Sequence, residues 1–159
     1  MTSPVVSVVL PVRNGAADLP KAIDTILAQT FTDFELIVVN EGSTDGTAAV
    51  LDGIRDRRLR VVHQDNVGLA RALNRSIALA RGRYIARQDH DDWAKPTRLE
   101  KQVAFMEANP DCALVGTCAD GPSKSSLGRT TSIARPNCAS FKLILHREVF
   151  RWASAARTG

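Results

Sequence analysis

The 159-residue sequence has no long apolar run, and its eight-residue stretch Val5–Val12 is far too short to span a bilayer. After Met1-Thr2-Ser3-Pro4 it enters an apolar strand pattern with no basic n-region, h-region or cleavage site, so no signal peptide is expected. Its three cysteines, Cys112, Cys118 and Cys138, are odd in number and lack metal-type spacing. They read as free thiols of a reducing, cytoplasmic setting. There is also no basic stripe interleaved with aromatics, which argues against a nucleic-acid partner despite the net charge of +4. Residues 1–120 hold 14 Lys/Arg and 16 Asp/Glu, whereas residues 121–159 hold 7 Lys/Arg and only Glu148. The excess positive charge therefore belongs to the last 39 residues.

Hydrophobic residues make up 44% of the chain and charged residues 24%, without low-complexity runs, as in a soluble globular domain. Val5–Val12, Glu35–Asn40, Leu59–His63, Tyr84–Gln88 and Ala113–Cys118 are strand patterns, the first two almost continuously apolar, as in strands covered on both faces. Between them lie helical patterns. The first is capped by Asp18 with Pro20 in its first turn, the second opens at Thr44-Asp45, and the third has Leu69, Leu73 and Ile77 at spacing four. The last runs over Thr97–Asn109 with Leu99, Val103 and Met106 inward. Alternating strands and helices predict right-handed crossovers and an α/β fold, a mainly parallel sheet with helices on both faces. After Asp120 the periodicity weakens. Phe141–Leu145 is a candidate last strand and Arg147–Ala156 a candidate helix, so the chain divides into 1–120 and an atypical, basic, partly irregular segment 121–159.

Ligands on such sheets bind at the carboxyl ends of the strands. Four loops meet that condition, and the polar, glycine-bearing and acidic residues concentrate in them: Pro11–Ala17, Asn40–Gly46, Gln64–Gly68 and Asp89–Trp93. Asp89-His90-Asp91-Asp92 is the most informative. A helix N-terminus favours one carboxylate and does not need three. Packed carboxylates repel unless a hard divalent cation, Mg²⁺ or Mn²⁺, lies between them, and such a cation can carry a diphosphate on its remaining positions. Asp92 as a simple cap before Pro96 is the plainer alternative. His90 reads as a spacer, since one His without a partner makes no zinc site.

The other loops are weaker singly. Glu41, beside Gly42 and Ser43, is placed to accept an N–H from a base edge, although Asn40–Thr47 also suits a plain strand–turn–helix junction. Arg13 of Pro11-Val12-Arg13-Asn14-Gly15 is placed to touch phosphate or ribose, or Asn14-Gly15 simply marks a turn. Arg71 opposes the helix dipole in a first turn, which suits an anionic neighbour, or is a solvated surface residue.

Taken together, these loops resemble the family 2 glycosyltransferases. The matching residues are Pro11-Val12-Arg13-Asn14, Val39-Asn40-Glu41-Gly42-Ser43-Thr44-Asp45-Gly46-Thr47, Asn66-Val67-Gly68, Arg71 with Asn74, Gln88-Asp89-His90-Asp91-Asp92 and Arg98-Leu99-Glu100. Gln29-Thr30-Phe31 and Gly82-Arg83-Tyr84-Ile85 fit the connecting segments. The resemblance covers roughly residues 4–120 in order, and implies a Rossmann-like GT-A fold. It further implies inverting, metal-dependent transfer of a sugar from a nucleotide diphosphate sugar, UDP- or TDP-type, to a hydroxyl acceptor, in polysaccharide biosynthesis. Pro11, Arg13, Asn14, Glu41, Ser43, Arg71 and Asp89 would bind the nucleotide, with Asp91 and Asp89 on the metal.

The sequence departs from the family pattern in places. Arg13 replaces a Tyr, Asn40-Glu41 replaces Asp-Asp, Ser76 replaces a Gly, and His90 a small residue. In the family a Gly-Gly-Phe turn and a Glu-Asp pair holding the general base follow the segment that Leu143–Phe150 resembles. The sequence printed here stops at Gly159 without them. The resemblance thus leaves the catalytic base unassigned and keeps two alternatives open: a nucleotide-binding module without acceptor transfer, and a sugar-1-phosphate nucleotidyltransferase.

Overall fold

The computed structural model describes residues 3–118 and 141–147. Its elements run β1 Val6–Val12, α1 Leu19–Leu27, β2 Phe34–Glu41, α2 Thr47–Gly53, β3 Leu59–Gln64, α3 Leu69–Leu79, β4 Tyr84–Arg87, α4 Arg98–Ala108, β5 Leu114–Cys118 and β6 Phe141–His146. The six strands form one sheet in the order β3-β2-β1-β4-β6-β5. The first four are mutually parallel, and β6 is antiparallel to both β4 and β5. The predicted last strand is thus β6, drawn from beyond residue 120 into the sheet between β4 and the edge strand β5. The helix expected over Arg147–Ala156 lies, except for its first residue, outside the described residues.

β1 and β2 are wholly buried, as their unbroken apolar runs predict. Their side chains alternate between two cores. Val6, Val8, Leu10 and Val12 face α1, α2 and α4, meeting Ile23, Leu51, Leu99 and Met106. Val9, Ile37 and Val39 face α3 alone. On α3 the predicted stripe packs in part, with Leu73 and Ile77 against the second core. Leu69 is exposed and Leu73 and Ile77 are half-buried, while Ala72 and Ser76 are fully buried. Small residues let this helix lie close to the sheet, and the Ser76 hydroxyl is satisfied by donating to the Ala72 carbonyl at 2.9 Å.

Two expected helix starts differ. Asp18 is the N-cap residue of α1, but its side chain makes no capping bond. α2 begins at Thr47, after Gly46, because Asp45 Oδ1 accepts the Thr47 N–H from two residues upstream. Cys112 is a free thiol; the Cys118 side chain and Cys138 lie outside the described residues. Among the described residues no helix is long and apolar enough to cross a membrane.

At the amino end of the sheet, buried Glu35 on β2 accepts from Ser7 Oγ at 2.6 Å, the Arg81 amide at 2.7 Å and Arg81 Nε at 3.0 Å. Burial acts to raise its pKa, but the hydrogen bonds from Ser7 and Arg81 outweigh it and hold the carboxyl below its usual 4.5. A lowered carboxylate pKa contributes stability above the unfolded value, and that contribution is lost as pH falls through the folded value. Glu35→Gln should therefore flatten the fall of Tm between pH 6 and pH 3 relative to the parent. Parallel acid profiles would exclude Glu35 as a source of acid sensitivity.

Candidate functional site

At the carboxyl ends of β1 to β4 the four loops surround a cleft of about 510 Å³. Pro11, Arg13, Glu41, Asp89, His90 and Asp91 line it, together with Arg87, Asn66 and Leu69. The first two loops are latched together. Three successive amides of loop one, from Asn14, Gly15 and Ala16, donate to Ser43 Oγ, Thr47 Oγ1 and Asp45 Oδ2 at 2.9, 2.9 and 3.1 Å. Asn14 Oδ1 returns the contact by accepting the Thr44 N–H at 2.8 Å. Asn14 has φ +52°, in the left-handed region that Asn tolerates better than most residues. These bonds occupy Asn14 and Ser43, which shape the cleft from behind and are not among its lining residues. The Thr47 hydroxyl also donates to Asp45, and this bond is the main cause of the lowered Asp45 pKa.

Glu41 is buried, and its Oε1 accepts the Val67 N–H at 3.0 Å. It therefore holds the loop after β3 against β2. Gly42, at φ +58°, lies so near that loop that a Cβ would stand 2.8 Å from the Asn66 amide nitrogen. Asn40 has a comparable task. Its Oδ1 accepts the Ser43 N–H at 3.2 Å and its Nδ2 meets His63 Nδ1 at 3.0 Å.

The acidic loop is braced from beneath by residues to which the sequence assigned no individual role. Gln88 Nε2 donates to the carbonyls of Asp89 and Asp92 at 3.1 and 2.6 Å. Its Oε1 accepts from buried Arg98, whose guanidinium also donates to the Arg87 carbonyl and Gln102 Oε1. Burial pushes the Arg98 pKa down to about 10, while Asp92 and Asp89 pull it up, so the side chain is charged at neutral pH. Gln29, just after α1, secures the same region, donating to the Lys95 carbonyl at 2.7 Å and accepting the Leu99 N–H at 3.0 Å. The signals in the sequence were the polar residues Gln88, Arg98 and Gln102 at otherwise apolar positions.

Within the cleft, Arg87 Nε and Nη2 both donate to Asp89 Oδ1, at 3.1 and 2.9 Å. Arg87 was read only as a strand residue, yet it brings a cation to the floor of the site. Asp91 is exposed at the cleft wall. His90 packs on Gly15 so closely that a Cβ there would lie 2.6 Å from His90 Cδ2, joining the first loop to the fourth. Arg71 is exposed on the first turn of α3 and is not among the cleft-lining residues. Among the described residues no three His, Cys, Asp or Glu side chains converge as a self-sufficient metal site.

A cleft at the carboxyl ends of parallel strands is where doubly wound α/β domains bind their ligands, and the fold here is of that class. The sequence profile of glycosyl transferase family 2 matches residues 7–153, and the chain belongs to that family. It is 40% identical over 120 residues to EpsE of Bacillus subtilis (strain 168), covering 73% of this chain and 43% of EpsE. It is also 40% identical over 113 residues to the glycosyltransferase GlyG of Streptococcus pneumoniae serotype 4, covering 67% and 38%. The chain thus spans less than half the length of either relative.

Among solved structures, it is similar to the mannosyltransferase PcManGT from Pyrobaculum calidifontis in complex with GDP-Man and Mn²⁺. The TM-score is 0.67 and the identity 28%, over 77% of this chain and 37% of that one. Residues 1–349 of S. aureus TarS in complex with UDP superimpose with a TM-score of 0.76 over 94% of this chain and 48% of that one. At 19% identity this likeness shows the GT-A fold alone.

Proposed function

We propose that this chain forms the donor half of a glycosyltransferase, binding a nucleotide diphosphate sugar of UDP or TDP type in the cleft and presenting its anomeric carbon to a hydroxyl acceptor. The observation that carries the reading is the meeting of Arg13, Arg87, Glu41, Asp89 and Asp91 around one cleft at the strand ends. The apolar Pro11 and Leu69 beside Glu41 suit a nucleobase, and Arg13 and Arg87 suit a diphosphate.

The donor set also fits a hard divalent cation. Mg²⁺ and Mn²⁺ bind at one or two carboxylates and complete their shells with phosphate oxygens and water, so a site of two carboxylates suffices once a diphosphate is present. Asp91 and the free oxygen of Asp89 would hold it. When bound, the ion would supply positive charge to the departing diphosphate. The protein's own contribution is positional. Gln88 and Arg98 hold the acidic loop, and Arg87 offers further positive charge at the cleft floor. Among the described residues no carboxylate after Asp91 lines the cleft. Glu100 is engaged by Thr30 Oγ1, and Glu107 by Tyr84 and Arg83. The acceptor's base is thus not assigned, and Asp120 and Glu148 lie outside the described residues.

Calorimetric titration with UDP, TDP and GDP, with and without Mn²⁺, followed by a donor hydrolysis assay, tests this reading. Saturable, Mn²⁺-strengthened binding of a pyrimidine diphosphate is expected. Failure of all three nucleotides to bind would overturn it.

Glu41 gives a second check. Glu41→Ala frees the Val67 N–H and removes the cleft's inner carboxylate, so uridine-type affinity should fall by about 1–3 kcal/mol. Glu41→Gln keeps an acceptor for Val67 and should lose less. Equal losses would show that charge, and not loop positioning, is what matters at residue 41.

A further inference from the structure

A second cleft, of about 420 Å³, lies at the opposite end of the sheet. Its walls are the segment Ser3–Val5 before β1, Arg81 and Arg83 before β4, and His146 and Arg147 at the end of β6. Nothing in the donor reading uses it. We propose that this cleft binds a phosphate-class oxyanion through Arg83 and Arg147, with Arg81 and His146 completing its wall.

The first argument is preorganisation. The turn carrying Arg81 and Arg83 is clamped, since the Arg81 amide donates to Glu35 at 2.7 Å and the Gly82 amide to Ser7 Oγ at 2.8 Å. A Cβ on Gly82 would lie 2.5 Å from the Ser7 backbone nitrogen, so the turn sits directly on β1. The end of β6 is stitched onto the same turn. The Arg147 amide donates to the Arg83 carbonyl and Arg147 Nη1 to the Ala80 carbonyl, both at 3.0 Å. The backbone at Arg81, Arg83 and Arg147 is therefore fixed around one cleft by contacts that exist without a ligand.

The second argument is charge. Arg81 is paired with Glu35 and Arg83 with Glu107. Arg147 is paired with no carboxylate among the described residues and bonds only a neutral carbonyl. The side chains of Arg81 and Arg83 are 62% and 54% exposed, so part of their five N–H donors remains open to a ligand. Among the described residues the cleft thus keeps net positive charge and planar donor forks, the chemistry that recognises phosphate. The third argument is His146 Nε2, which is shut off from solvent and has no hydrogen-bond partner among the described residues. A buried polar atom without a partner is costly, so a hydrogen-bond acceptor brought beside the ring would offset that cost when Nε2 carries the proton.

Titration of the ¹⁵N-labelled chain with inorganic phosphate at constant ionic strength, balanced with chloride, tests the site. Saturable shifts confined to Arg81, Arg83, His146 and Arg147 are expected, with a dissociation constant of roughly 1 mM, typical of a few charge-assisted contacts. Arg83→Gln and Arg147→Gln should each weaken binding at least about tenfold. Arg83 is the safer change because its side chain is exposed, and thermal melts of both variants establish that they fold. Linear shifts like those with chloride, or saturable shifts indifferent to both substitutions, would overturn the proposal.

Sedimentation with phosphatidylcholine vesicles, with and without phosphatidic acid, separates the sources of the phosphate. Retention by phosphatidic acid that both substitutions reduce assigns a lipid headgroup. Phosphate binding without such retention assigns a free phosphate or phosphoester. The site is independent of the donor cleft, so failure of either titration leaves the other interpretable.

Discussion

Asp91→Ala is expected to reduce UDP affinity in Mn²⁺ to the value measured in EDTA, a loss on the order of 100-fold, while leaving Tm nearly unchanged. The magnitude follows from the several kcal/mol that a bound cation contributes against diphosphate charge. The unchanged Tm follows from exposure, since substitutions at exposed positions usually fall within about 0.5 kcal/mol. Asp89→Ala should behave differently. Asp89 Oδ1 neutralises Arg87 in the free protein, so its removal releases a cation toward the diphosphate. Metal-dependent affinity should fall, but affinity in EDTA should hold or rise. Equal affinity of the parent chain in EDTA and in Mn²⁺ would contradict the metal reading outright. A drop in EDTA for Asp89→Ala would show that Asp89, and not Arg87, meets the ligand.

Arg98→Met should be among the most destabilising single changes in the chain, costing about 3–5 kcal/mol by denaturant unfolding. Removing one partner from a buried charged network leaves the others desolvated and unpaired. Here Gln88 Oε1 and the Arg87 carbonyl lose donors that hold them at 2.8 Å, and the acidic loop loses the cation beneath it. Arg98→Lys should recover only part of this, because one ammonium cannot reproduce the fork that reaches Arg87, Gln88 and Gln102 together. In a folded Arg98→Lys chain, Mn²⁺-dependent UDP binding should weaken while binding in EDTA changes little, since only the acidic loop has lost its support. A loss below about 1 kcal/mol for Arg98→Met would mean that the network is relaxed by water or rearrangement and does not brace the loop.

The unbroken apolar runs at β1 and β2 could be read as central parallel strands because burial on both faces demands apolar residues at every position. The helix over residues 97–109 was legible for the related reason that Leu99, Val103 and Met106 keep one stripe toward the core. On α3 the same reasoning found the helix and two of its packing residues, Leu73 and Ile77, but not its closest contacts with the sheet. The sheet accepts that helix through Ala72 and Ser76, and Leu69 turns outward at the cleft. Periodicity reports which residues are apolar, not how near two elements approach.

The sequence by itself determined the alternating α/β architecture, and it marked the strand ends as the place of the candidate site, with the acidic loop in its wall. Each of these is written in local order, as a periodicity or as neighbouring residues in a loop. Only the tertiary structure decided how the site residues divide their work. It set Asn14 and Ser43 to latching loops, Glu41 to holding Val67, Arg87 to Asp89, and Arg98 to bracing the acidic loop from beneath. It alone placed β6 between β4 and β5, and so put His146 and Arg147 beside Arg81 and Arg83, more than 60 residues away in the chain. Those pairings depend on contacts between distant segments, and a side chain's hydrogen-bond partner across such a distance is set by the packed fold, not by its neighbours in sequence.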